Sequence, residues 1–107
     1  MQQLTLAIKF TAPAEKREEF KQILTDLFIT ISNEKNFVNA TIHEGIQNIN
    51  EFLVYETWND NLGDFLSIQM KKPYAVQFES TLDALKIVRE PAAYSPFAHF
   101  GTHKISE

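Results

Sequence analysis

Between residues 4 and 11 the apolar side chains Leu4, Leu6, Ile8 and Phe10 alternate with Thr5, Lys9 and Thr11, and only Ala7 blurs the period of two. This is the pattern of a strand with one buried face. Thr11 and Pro13 then read as the cap and first turn of a helix, with Glu15, Glu18 and Glu19 near the positive end of its dipole. Phe20, Ile23, Leu24, Leu27, Phe28 and Ile31 recur at helical spacing and form a stripe down one side of it. Residues 32–36 end this helix. Two β-rich runs, 37–46 and 51–58, follow around a short polar stretch and read as an antiparallel hairpin. In the first run Val38, Ala40, Ile42, Glu44 and Ile46 share a face, leaving Asn39, Thr41, His43 and Gly45 on the other. In the second, Phe52, Val54, Glu56 and Trp58 lie opposite Leu53, Tyr55 and Thr57. Both faces of this second run are apolar or aromatic. One should therefore meet helices and the other something else, for which a partner subunit is the economical candidate.

Asn59, Asp60 and Asn61 supply turn and cap residues for a short helix, with Leu62, Phe65, Leu66 and Met70 expected to face inward. Lys71, Lys72 and Pro73 interrupt it. A second helical segment carries Tyr74, Phe78, Leu82 and Leu85 in register up to about Val88. Pro91 and Pro96 read as a loop, and residues 97–103 alternate again as a final strand. The predicted order is β-α-β-β-α-α-β, a ferredoxin-like α+β domain with an antiparallel sheet and a broken second helix. No repeat or linker divides the 107 residues, so 1–107 reads as a single domain.

Composition narrows the function classes. Ten basic residues against fourteen acidic ones give a net charge of -4, and the lysines are scattered, so no nucleic-acid footprint is visible. The chain has no cysteine, which removes disulfides, thiolate nucleophiles and Cys-based metal sites. The start of the chain has no basic leader, and no apolar run approaches the roughly 18 residues of a membrane span. A cytoplasmic protein is the default expectation. Nine Phe, three Tyr and one Trp exceed what a small core needs and point to a pocket or a subunit interface.

The segment Tyr55-Glu56-Thr57-Trp58-Asn59-Asp60 resembles the "YE-x-W-x-D" end of the third strand in the antibiotic biosynthesis monooxygenase family. Lys72-Pro73-Tyr74 and the downstream Phe78 resemble the family's helix-breaking run. The resemblance implies a homodimer, a dimeric α+β barrel in which two sheets face each other, with a pocket in each subunit between sheet and helices. Members include cofactor-free monooxygenases of quinols and polycyclic phenols, and haem-degrading enzymes. The haem degraders carry a His on the short helix and an Asn on the first strand. Here residues 65–70 contain no His and residues 1–11 no Asn, leaving Trp58 of that signature, so haem degradation is disfavoured.

Oxygen insertion without flavin or metal needs a substrate hydroxyl deprotonated in a dry pocket, because the anion donates an electron to O2 where the neutral phenol does not. Glu56 is the candidate base, its pKa raised by burial; the alternative is a carboxylate tied to a backbone N–H, Arg89 or a lysine. His43 is the second candidate, although its position opposite Ile42 and Glu44 favours a surface or interface role. Trp58, Phe65, Tyr74 and Phe78 are the candidate substrate-binding residues, with packing or loop anchoring as the competing role. His99 and His103, four apart on the expected strand, would stand about 13 Å apart, too far to share a metal. No cofactor or metal is expected. The leading expectation is a cofactor-independent monooxygenase of a small aromatic quinol or polyphenol. The alternative is a non-catalytic dimeric module that binds an apolar or aromatic small molecule. No nucleic acid or membrane partner is expected.

Overall fold

The computed structural model describes residues 2–101. Strands β1 (Leu4–Thr11), β2 (Phe37–Glu44), β3 (Glu51–Trp58) and β4 (Val88–Tyr94) form one antiparallel sheet in the order β2-β3-β1-β4. Helices α1 (Arg17–Ile31), α2 (Leu62–Ile68) and α3 (Pro73–Ala84) complete the ferredoxin-like α+β fold. The helical stripe of α1 behaves as its spacing requires: Phe20, Leu24 and Ile31 are buried. On β3 the alternation is sharp. Phe52, Val54, Glu56 and Trp58 are all buried, whereas Leu53 and Tyr55 stand exposed on the other face.

Two hydrophobic clusters fill the layer between sheet and helices. One gathers Phe10, Phe20, Leu24, Phe52, Val54, Leu82 and Ile87. Its rings meet edge to face, Phe10 with Phe20 at 5.3 Å and Phe20 with Phe52 at 5.6 Å between centroids. The other gathers Leu4, Leu6, Ile31, Trp58 and Phe65, and Ile8 and Phe28 pack against both.

The expected final strand at 97–103 is corrected. Residues 97–101 form no strand, and residues 102 and 103 lie outside the described residues. The strand is Val88–Tyr94, and it contains Pro91, which had read as a loop marker. The reason is position: β4 is an edge strand bonded only to β1, so one missing N–H costs no ladder bond when it faces the open edge. The helix expected to run to about Val88 stops at Ala84 instead. Lys86 takes a left-handed conformation (φ 60), its N–H donating to Asp83 O at 3.2 Å while the Ile87 N–H donates to Leu82 O at 2.9 Å. This pair of bonds is a Schellman stop made without glycine, so the usual sequence signal is missing.

Four smaller expectations also change. Thr11 stays in β1, and a 3-10 turn at Ala14–Lys16 leads into α1 with no side-chain cap. A register step between Phe37 and Asn39 sets Phe37 opposite Trp58 on the helix side, while Val38 is exposed. The strand ends at Glu44, which leaves Ile46 in the hairpin loop, almost fully exposed. On α2 only Phe65 is buried; Leu62 and Leu66 face outward, because a helix of 7 residues presents little more than one edge to the sheet. No helix among the described residues is long and apolar enough to cross a membrane.

Candidate functional site

Between the two clusters lies a cavity of about 80 Å3, walled by β1, β3, α1, α2, α3 and the turn Gln69–Lys71. Its apolar wall includes Ile8, Phe10, Phe28 and Met70, and all five of Glu56, Trp58, Phe65, Tyr74 and Phe78 line it. Strand parity explains Glu56 and Trp58: they pair with Leu6 and Leu4 of β1, whose alternate side chains face the helices. Phe65 reaches the same space because Asn61 starts α2, its side chain accepting the Asp64 N–H at 2.8 Å. Trp58 is held edge to face by Phe37 at 5.4 Å and Phe65 at 5.1 Å. His43 is not brought to this cavity. It pairs with Leu53 on the outer face and is exposed.

Glu56 is the buried carboxyl of the site. Trp58 Nε1–H donates to its Oε1 at 2.7 Å. No other donor among the described residues bonds it, so neither Arg89 nor a lysine neutralises the group. Burial pushes its pKa up to about 7, against a smaller lowering by the Trp58 hydrogen bond. A carboxyl so placed exchanges a proton near neutrality. Transfer from a phenol with a pKa near 10 to such a group is uphill by about 3 units, about 4 kcal/mol, against nearly twice that for an ordinary glutamate. Arg89 also lines the cavity, but its guanidinium makes two hydrogen bonds to Glu79, one of them at 2.8 Å.

Gln69 and Glu34 are parts of the site that sequence reasoning missed. Gln69 is buried and lines the cavity, its amide 3.0 Å from Tyr74 Oη. The available signal was a polar residue one helical turn after Phe65, on the same side. Glu34 lies in the turn after α1, where it accepts from Lys72 Nζ at 2.6 Å and from Tyr74 Oη at 2.8 Å. The Lys72 hydrogen bond, then that of Tyr74, holds its carboxyl below the usual range, while burial and the Glu34 carboxylate push the Tyr74 phenol up. No local pattern announces this contact, which joins residues 40 apart. Among the described residues no cluster of three or more His, Asp or Glu could hold a metal ion.

Residues 4–64, more than half of the chain, match the antibiotic biosynthesis monooxygenase family. The chain belongs to this family. No functionally curated protein matches it. Solved structures resemble the family member along nearly its whole length. A Deinococcus radiodurans protein, itself proposed to be an antibiotic biosynthesis monooxygenase, is 20% identical, with 94% of this chain and 99% of that chain covered and a TM-score of 0.81. SnoaB from Streptomyces nogalater, a cofactor-independent oxygenase, is 17% identical with 97% and 100% covered and a TM-score of 0.77. A Nitrosomonas europaea protein of the same proposed class is 14% identical, with 94% and 95% covered and a TM-score of 0.80. At these identities the likeness shows a common fold.

Proposed function

We propose that this protein is a cofactor-independent monooxygenase acting on a small aromatic quinol or polyphenol, with Glu56 as the base. The observation that carries this reading is the Glu56 carboxyl on the wall of an aromatic-lined cavity, one oxygen held by Trp58 and its pKa raised to about 7. Membership of the family and the fold shared with the cofactor-independent oxygenase SnoaB support it. Ionised Glu56 takes the substrate's hydroxyl proton. The resulting anion gives an electron to O2, the two radicals combine at the ring carbon, and loss of water leaves the new carbonyl, so that one oxygen atom enters the ring and the other leaves as water. Trp58, Phe65, Tyr74 and Phe78 hold the ring and keep bulk water away.

Oxygen uptake with a panel of quinols in metal-free, flavin-free buffer tests the reading. The expected outcome is uptake above autoxidation that rises with pH through about 7 and falls at least tenfold in folded Glu56→Gln. Uptake no faster than autoxidation, or an unimpaired Glu56→Gln, would sink it.

A non-catalytic binding module is the second reading, favoured by one observation: the Tyr74 hydroxyl is engaged by Glu34, so Glu56 has no free proton donor beside it. Thermal stabilisation by aromatic ligands that are recovered chemically unchanged would decide for it.

The open sheet face supports pairing with a second copy. Leu53, Tyr55, Val88 and Tyr94 are exposed there, an apolar surface that a solitary sheet has no reason to keep. The expected dimer buries more than about 1,000 Å2 in total.

A further inference from the structure

The cavity has a dry end and a wet end. At the dry end Glu56 is buried and bonded to Trp58. At the wet end stand Arg89 of β4 and Glu79 of α3, which both line the cavity while their side chains are 30% and 40% exposed. Strand pairing fixes how far apart the two ends lie. Glu56 pairs with Leu6 and Arg89 with Phe10, on opposite sides of β1. Four residues of strand rise and two strand spacings set the Glu56 and Arg89 Cα atoms roughly 17 Å apart. Leu6, Ile8 and Phe10 line the cavity along that stretch, so its floor is apolar. Phe10 packs edge to face on Phe78 of α3, their ring centroids 5.9 Å apart, and Phe78 lines the cavity as well. The elongated space thus carries a carboxyl at one end and a cation at the other.

Glu79 uses only part of Arg89. A guanidinium carries five N–H donors in a planar fork. One donor from each terminal nitrogen goes to Glu79. The Nε–H and the terminal N–H beside it form a second fork of the shape that grips a carboxylate, and among the described residues nothing accepts from it. We propose that Arg89 anchors an acidic substituent of the ligand: the cavity takes an elongated aromatic acid, its ring beside Trp58 and Phe65 and its carboxylate on the second fork of Arg89. Glu79 is the counter-ion of this subsite. Its two bonds hold the guanidinium in place, and its charge opposes the incoming carboxylate, so removing that charge strengthens binding. The assignment needs the cavity to bind a small molecule, as both readings above do. It does not need Glu56 to act as a base.

Calorimetric titration of the full chain with para-hydroxyphenylpropionate and with its carboxamide, which has the same size and no charge, tests the assignment without turnover. The acid should bind roughly tenfold tighter than the amide. Arg89→Gln should bring the two within roughly twofold of each other. Glu79→Gln should widen the preference for the acid beyond that of the wild type, a result that a pair serving only to tie β4 to α3 does not produce. Equal affinities in the wild type, binding of neither compound, a preference as large in Arg89→Gln, or one not widened in Glu79→Gln would overturn the assignment. Should Arg89→Gln fail to fold, the wild type and Glu79→Gln still decide. Absent oxygen uptake with the acid still preferred removes the monooxygenase reading alone. Uptake with quinols and no preference for the acid removes the Arg89 subsite alone.

Discussion

Both faces of β3 carry apolar or aromatic side chains, and they meet opposite fates. Toward the helices Phe52, Val54, Glu56 and Trp58 are at most 4% exposed, whereas Leu53 and Tyr55 on the outer face are 41% and 49% exposed. The inner face is completed by the chain itself, through the stripe of α1 and the shorter helices. That completion takes water from Glu56 and raises its pKa, so the inner face acquires chemistry from burial. The outer face has Thr, Ala and Tyr side chains and no covering helix, and it is the surface proposed for a second copy. On the proposed reading, one strand supplies a reaction site with one set of residues and an assembly surface with the alternate set.

The largest expected contrast comes from truncating one residue on each face. Trp58→Ala should cost about 3–5 kcal/mol in urea unfolding, because it removes a fully buried ring held by Phe37 and Phe65. Tyr55→Ala, measured under conditions where the protein is monomeric, should cost less than about 1 kcal/mol. Equal losses would erase the distinction between the faces.

The next effect is pH-dependent and belongs to the inner face alone. Glu56 has a folded pKa of about 7, above the unfolded value near 4.5. Between those values the folded state holds a proton that the unfolded state has released, so stability falls as pH rises from about 4.5 to about 7 and levels off above. The loss is about 3 kcal/mol. Glu56→Gln cannot ionise. Comparing unfolding midpoints at pH 5 and 8 should show the variant gaining on the wild type at the higher pH, and parallel curves would show that Glu56 titrates normally.

On the outer face, Leu53→Asp with Tyr55→Asp should convert a dimer into a monomer in sedimentation velocity while leaving the monomer fold intact by circular dichroism. A wild type that is monomeric at every concentration would remove the assembly role from this face. The smallest expected effect lies off both faces: Asn61→Ala removes the α2 cap and should cost about 1 kcal/mol by denaturant titration. A much larger cost would mean that α2 anchors the cavity wall more firmly than its exposed Leu62 and Leu66 imply.

Much of the fold was legible because periodicity is local. The spacing of Phe20 to Ile31 gives α1, and the alternation in β1 and β3 places Glu56 and Trp58 on the same side as Leu6 and Leu4. What failed depended on neighbours. Pro91 is acceptable only because β4 has an open edge, and Lys86 ends α3 in a conformation usually left to glycine. The cavity's aromatic and acidic residues were likewise readable from parity and resemblance. Gln69 and Glu34 were not, since their importance comes from bonds to Tyr74 that close across 5 and 40 residues of sequence.

The sequence by itself determined which residues lie on which side of each element, since strand and helix periods follow from backbone geometry that every residue shares. It also determined that the wall opposite α1 would hold a carboxylate beside a tryptophan. Only the tertiary structure decided that this carboxylate would be dry, bonded to the indole and free of a cationic partner, because desolvation is set by everything packed around a group. The fate of His43 was decided in the same way: the parity that sent Glu56 inward left the histidine on the open face, where solvent surrounds it.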